Sequence, residues 1–310
     1  MKRIFGLLIL MLLLSCKSSE SQIRSHVEFL SSDDIQGRAT GSNGIERSAH
    51  YIASKFKDFG VQPYFNTYRD EFIAKGIEAF NVVGFIEGND PDLKNEFIII
   101  GAHYDHVGTG KSERGKRSST ALDTIANGAN DNASGTATVM AIGKHFAQNK
   151  TNKRSILLTL FSAEELGLLG SEHLAKRLKK ENLDLYTMIN FEMTGVPFPD
   201  RDYVAFVSGY HLSNMAAKIN EYTNSNLIGE SVEAKKFDLF KRSDNYPFYE
   251  EFGIPCQTIS SCDLTNYDYY HHVDDETDKL DYVHMTNLVN QLIPAFEKIC
   301  NTTTKEIKMN

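Results

Sequence analysis

The stretch NEFIIIGAHYDHVG, Asn95 to Gly108, decides how the rest of the chain is read. Phe97, Ile98, Ile99 and Ile100 form an unbroken apolar run, the pattern of a strand covered on both faces. The run breaks at Gly101, and the chain then sets down His103, Tyr104, Asp105 and His106. A strand through the middle of a sheet has no use for two imidazoles and a carboxylate. The carboxyl end of such a strand is where α/β proteins keep their ligands.

Working outward, the same grammar repeats. Residues 22–35 and 45–59 read as helices, the second with Ile45, Ala49, Ile52, Phe56 and Phe59 on one face and Gly60 as its stop. Between them GRATGSNG, Gly37 to Gly44, is a glycine-rich loop. Strands are predicted at AFNVVGFIEG, RSILLTLFSAEE, LYTMINFEMTG, DYVAFVSG and IPCQTISS. Helices are predicted at residues 133–147, 167–180, 211–224, 246–253 and about 282–300. The alternation argues for an α/β fold, a three-layer α/β/α sandwich around a mixed, largely parallel sheet. The pattern leaves the order of strands open.

Several of these segments end in acids or metal ligands. They supply His103 and Asp105, then Asp131 within GANDNASG, then Glu164-Glu165, then Glu192. A further cluster, DYYHHVDDETDKLD, holds His271, His272, Asp274 and Asp275. In a parallel sheet the carboxyl ends point one way, so groups spread over about 170 positions are expected to converge. Carboxylates gathered in one cleft repel, and burial raises the cost. Divalent cations relieve it. Mixed histidine and carboxylate donors suit zinc, and two metals working together are a known arrangement for hydrolysis.

The chain has 310 residues and a formal net charge of −8, and an acidic protein argues against nucleic acid as a partner. Met1-Lys2-Arg3 followed by the apolar run Ile4–Leu14 and Ser15-Cys16 reads as an export leader over residues 1–15. LLSC resembles a bacterial lipobox. Cys16 is then the lipidated first residue of the mature protein, residues 16–22 a tether, and 23–310 a single catalytic domain. The alternative is an ordinary leader cut near Ser15, with Cys16 incidental. The lipoprotein reading implies an exported bacterial protein held at the membrane, facing the periplasm or the cell exterior, and leaves the oligomeric state open. Cys256, Cys262 and Cys300 either include a disulfide or are buried free thiols. The run 108–127, with Lys111, Arg114, Lys116 and Arg117, is a solvated loop or an overhang above the cleft.

The ordered set GAHYDH, GANDNASG, FSAEELGLLGS, INFEMTG, RSDNYPF and YHHVDDETDKLD resembles the di-zinc exopeptidases of metallopeptidase family 28. That group includes bacterial leucyl aminopeptidases, glutamate carboxypeptidase and the related glutaminyl cyclases. The likeness runs from about Phe29 to the C-terminus, and GRATGSNG resembles the family's N-terminal segment. It implies two zinc ions bridged by Asp131, one completed by His103 and Glu192, the other by Glu165 and His271. It implies that Glu164 is the general base, taking a proton from the attacking water and passing it to the leaving amine. Asp105 corresponds to a supporting carboxylate, and Ser243 and Asp244 to a segment beside the substrate. His271 rather than His272 is the expected ligand, from the spacing to Asp275 and Asp278-Lys279. His106 receives no task. The glycines of GANDNASG are expected to let the backbone turn so that Asp131 reaches both ions.

Two positions depart from the family pattern. Glu192 stands where aspartate is common, and Asn245 stands where histidine is common after RSD. The resemblance implies peptide substrates and an aminopeptidase first. A glutaminyl cyclase-like transferase, a carboxypeptidase and a catalytically inactive surface binding protein are the other readings.

Overall fold

The computed structural model describes residues 19–110 and 123–310. The expected leader, Cys16 and the basic cluster Lys111 to Arg117 lie outside them. Residues 19–30 form helix α1, which takes in the last four residues of the expected tether. Helix α2, Asn43–Phe59, starts at Ser42, whose hydroxyl accepts from the Ile45 N–H, and ends on left-handed Gly60 (φ 88°) as its sequence predicts.

The strands in chain order are β1 (Gln62–Pro63), β2 (Arg69–Ala74), β3 (Ile77–Ile86), β4 (Glu96–His103), β5 (Gly108–Thr109), β6 (Ile125–Ala126), β7 (Ser155–Phe161), β8 (Asp184–Glu192), β9 (Ala205–Val207), β10 (Ile228–Gly229) and β11 (Cys256–Ser260). Nine of them make one sheet in the order β1-β3-β7-β4-β8-β11-β9-β10, with β2 paired on β3. The central run β7-β4-β8-β11 is parallel. Antiparallel pairs flank it, β3 on β7 and β9 on β11. The sheet is therefore mixed with a parallel centre. β5 and β6 form a separate two-stranded ladder at the stem of the 108–127 loop.

The remaining helices are α3 (Gly135–Asn149), α4 (Leu169–Lys180), α5 (Met215–Thr223), α6 (Val232–Lys236), α7 (Asn245–Phe252) and α8 (Tyr282–Asn301). Period-two alternation sorts the central strands into two cores. Ile98, Ile100, Ile156, Leu158 and Ile189 face one layer, with α1, α2, α3, α5 and α8. Ile99, Leu157, Phe161 and Met188 face the other, with Leu174 and Leu178 of α4 and Phe248 of α7. Each such side chain contributes on the order of 1.5–3 kcal/mol by leaving water. This is why the isoleucine run carries no polar residue until it reaches the sheet's edge.

Cys256, Cys262 and Cys300 are free thiols, all buried, and burial pushes each thiol pKa up. No helix among the described residues is long and apolar enough to cross a membrane.

Candidate metal centre

The parallel strands end together. β4 ends at His103, β7 runs into Glu164-Glu165 and β8 ends at Glu192. His103 Nδ1 lies 3.1 Å from the Asp105 carbonyl oxygen. A carbonyl only accepts, so Nδ1 carries the proton and, in the neutral ring, Nε2 is left with a lone pair. That Nε2 lies 3.0 Å from Glu192 Oε1 and 3.3 Å from Asp131 Oδ1. The other Asp131 oxygen, Oδ2, lies 3.1 Å from His271 Nε2, which is 3.2 Å from Glu165 Oε1. The two oxygens of one carboxylate thus face two different donor groups. His103, Asp131 and Glu192 form one group; Asp131, Glu165, His271 and His106 form the other.

The loop holding Asp131 is over-determined. Gly128 adopts φ 59°, and a Cβ there would fall 2.2 Å from the Asp131 carbonyl oxygen, so glycine is required. Asn130 Oδ1 accepts from the Gly195 N–H (2.9 Å), and Asn132 Oδ1 accepts from the Met193 N–H (3.1 Å). The asparagines on either side of Asp131 therefore clip its loop to the chain just beyond Glu192. From the opposite side Asp275 accepts from the N–H groups of Asn130 (2.7 Å) and Asp131 (3.0 Å) and from the Tyr267 hydroxyl (2.6 Å). Arg38, fully buried, donates to the carbonyls of Tyr104, Leu30, Asn127 and Gly128 at 2.5–2.9 Å. Backbone strain gathers here too: Ala163, Met193 and His271 all have positive φ.

Electrostatics explains the crowding. Burial alone would deprotonate His103, but Glu192 and Glu164 hold its pKa well above the usual imidazole range. His271 is pushed to about 10: burial opposes the rise, and contacts with Asp131 and Glu165 overcome it. Glu165 falls to about 2, against burial and the repulsion of Asp131, through His106 and His271. Burial, with the charges of Glu165, Glu192 and Asp244 behind it, pushes Glu164 well above the ordinary carboxylate range. The Glu164 carboxylate accepts no hydrogen bond from the described residues, whereas its backbone N–H donates to Asp105 Oδ1 (3.2 Å). Two adjacent glutamates thereby have different surroundings, one packed among imidazoles and one half-buried without a hydrogen bond to its carboxylate from the described residues.

The donor set fits zinc. Asp131 Oδ2, Glu165 Oε1 and both His106 ring nitrogens are buried without a hydrogen-bond partner, although their neighbours stand 2.9–3.7 Å away. Lone pairs that converge without hydrogen-bond alignment want a cation among them.

The structure brings together His103, Asp131, Glu165, Glu192 and His271, with Glu164 alongside. His272 turns aside to Asp274 (Nδ1 to Oδ2 3.3 Å). Asp105 supports the centre through three elements: its carbonyl fixes the His103 ring, one carboxylate oxygen accepts from the Thr40 hydroxyl (3.0 Å), and the other from Glu164. Ser243 donates to Glu192 Oε2 and accepts from Asn190 (2.9 Å). Asp244 is fully buried, and desolvation raises its pKa to about 7. The Asn245 departure has a structural reason. Its amide donates to the Phe240 and Cys256 carbonyls (3.1 and 3.2 Å) and accepts from the Thr258 hydroxyl (2.7 Å), so it ties α7 to β11 away from the cleft. A cavity of about 40 Å³ opens beside Glu192 and Ser243, walled by Met193, Phe206 and Leu239, with Arg242 exposed on it.

Sequence reasoning missed Arg38, Asp275 and His106 as parts of this centre. Asp275 sits in the histidine-aspartate cluster already singled out, and Arg38 inside GRATGSNG. His106 had no signal beyond its place three residues after His103.

The pattern of peptidase family M28 matches residues 81–295. A probable zinc metalloprotease of Pyrenophora tritici-repentis is 28% identical over 190 residues, covering 57% of this chain and 41% of that protein. A probable leucine aminopeptidase of Trichophyton verrucosum is 26% identical over 219 residues, covering 67% of this chain and 52% of its own length. The chain spans about half the length of these curated relatives or less. The LapA aminopeptidase of Legionella pneumophila shares the fold, with TM-score 0.68 and 22% identity over 93% of this chain and 74% of that one.

Proposed function

This chain belongs to peptidase family M28, and from that premise we propose that it is a zinc-dependent aminopeptidase removing N-terminal residues from peptides. The observation that carries the reading is the pair of donor groups sharing Asp131, with an unencumbered Glu164 beside them. His103, Asp131 and Glu192 would hold one ion, and Asp131, Glu165 and His271 the other. When bound, such ions supply Lewis acidity to a carbonyl and bring the pKa of water toward neutrality.

The chain's own residues do the rest. Glu164 takes the proton from the attacking water and hands it to the nitrogen that leaves with the shortened peptide, so the base ends as it began. Asp105 holds His103 and the Glu164 backbone in register. The surplus of carboxylates around the cleft favours a substrate that brings a positive charge, as the free α-ammonium of a peptide does. The name of the Trichophyton relative agrees with this choice. The mostly apolar cavity beside Glu192 suits a small or medium apolar side chain. Arg242 on that cavity favours the second reading, a carboxypeptidase that pairs it with a terminal carboxylate.

The proposal extends to place and organisation. Residues 1–15 are a leader, Cys16 carries the lipid, and 23–310 act as one catalytic domain at a bacterial membrane. Mass spectrometry of the N-terminal peptide checks this, since an unmodified Cys16 in the membrane fraction would remove the anchor.

The activity is tested by incubating protein lacking residues 1–16 with a peptide pool, with zinc and with chelator, and following masses over time. Chelator-sensitive loss of single residues from free but not acetylated N-termini is the expected result. Loss from the C-terminus would make it a carboxypeptidase, and loss of ammonia from peptides beginning with Gln would make it a cyclase. No change with zinc bound would point to a binding protein.

A further inference from the structure

We infer that His106 is a fourth protein donor to the ion site of Asp131, Glu165 and His271, which makes the two metal sites unequal. The inference rests on the metallopeptidase reading of the same centre and adds a residue to it. His106 is buried, with Nδ1 2.9 Å from Glu165 Oε1 and 3.7 Å from Asp131 Oδ2. The ring stands edge-on to that of His271, centroids 5.6 Å apart. A histidine at 2.9 Å from a carboxylate would ordinarily be read as its hydrogen-bond partner. Here the contact is close but poorly aligned for a hydrogen bond: Nδ1 and Glu165 Oε1 both lack an aligned partner, and so does Asp131 Oδ2. The orphaned atoms face one another around a common point. His106, Asp131, Glu165 and His271 each offer one atom, all within 4.8 Å of one another.

The ring is held in that pose by backbone. The His106 N–H donates to the Arg38 carbonyl (3.3 Å), and Gly128 lies so close that a Cβ there would come within 2.5 Å of the ring. The first group has no counterpart. It holds His103, Asp131 and Glu192 and nothing more among the described residues.

Four nitrogen and oxygen donors complete a tetrahedral zinc shell, and closed shells of this kind hold zinc in structural sites, whereas three donors leave a position open for water or substrate. The site with His106 is therefore the tight one, filled first and emptied last. The site of His103 and Glu192 is the open, weaker one.

The test reads metal rather than activity. Zinc-loaded protein is dialysed against a graded series of chelator-buffered zinc solutions, and zinc per chain is counted. The wild type is expected to lose its ions in two steps. His106→Asn keeps a side-chain amide where Nδ1 stood, able to donate a hydrogen bond to Glu165 but a poor zinc ligand. His106→Ala removes both. If His106 is a ligand, both variants weaken the tighter step by about tenfold or more and leave the other in place. An Asn variant with wild-type release would reduce His106 to a hydrogen-bond partner of Glu165 and overturn the inference. So would loss of both steps or of neither. A wild type that holds no zinc would instead overturn the metallopeptidase reading itself.

Discussion

Strand β7 buries charge at both of its ends, and the two ends treat it differently. At the start, Arg154 is fully buried and answered at two of its three nitrogens, Nη2 alone lacking a hydrogen-bond partner: Nε donates to Glu96 (2.7 Å), Nη1 donates to the Ile299 and Thr302 carbonyls (3.2 and 2.6 Å), and the guanidinium lies 4.9 Å from the centre of the Tyr186 ring. One cation meets one anion and a set of carbonyls. At the far end, Asp105, Asp131, Asp244 and Asp275 are buried with Glu164, Glu165 and Glu192 around them. Arg38 is the buried permanent cation there, and its hydrogen bonds go to carbonyls. The first arrangement ties the chain to itself. The second is short of positive charge and has unpartnered oxygens, so it is built to take up cations. Burial of charge is thus a lock at one end of the sheet and a binding site at the other.

The comparison breaks first at Glu164. Glu164→Gln is expected to cut peptide hydrolysis by about 10²–10⁴-fold while zinc content stays unchanged. If zinc falls with activity, Glu164 belongs to the ligand set and the free base disappears. At the other end, Arg154→Met leaves Glu96 and several carbonyls without their partner. Unfolding in denaturant should show a loss of about 3 kcal/mol, the low end for a broken buried pair, because Glu96 keeps 23% of its side chain exposed. Zinc affinity should not move. A variant of normal stability but weakened zinc binding would erase the distinction between the two ends.

A third treatment of buried charge sharpens the contrast. His26 is buried against Tyr51, and burial, then Lys55 and Lys144, lower its pKa from 6.5 to about 4. It stays neutral while the unfolded chain takes up a proton. Stability therefore falls as the pH drops from 6.5 toward 4, and His26 adds no pH dependence above that window. The shift corresponds to roughly 3 kcal/mol. His26→Gln should flatten the loss of stability between pH 7 and pH 4 by about that amount; identical profiles for the two proteins would remove His26 from the account.

The smallest effect is expected at Asp275, whose carboxylate touches the centre through the backbone N–H groups of Asn130 and Asp131 and through Tyr267. Asp275→Asn should weaken zinc by roughly 10–100-fold in chelator competition. Unchanged affinity would mean that the Asp131 loop holds its shape by the Asn130 and Asn132 clips alone.

Much of this was legible in the residues themselves. The isoleucine run before Gly101 marked a doubly covered strand, and the helix over Asn43–Phe59 ends at the glycine that predicts its end. Strand-end residues His103, Glu165 and Glu192 announced a shared edge, because a parallel sheet sends its carboxyl ends one way. Periodicity and chain direction are local, so a sequence carries them openly. What only the tertiary structure decided is which way side chains point once distant segments pack. His271 and His272 are neighbours, yet only His271, at φ 57°, turns to Asp131. Asn245 departs from a common histidine and proves to be a buried tie between α7 and β11. His106 takes its place because Arg38 and Gly128, far off in the chain, fix its backbone and its ring. Such placements depend on contacts between residues that sequence spacing does not connect, and they give the acids of this edge their different surroundings.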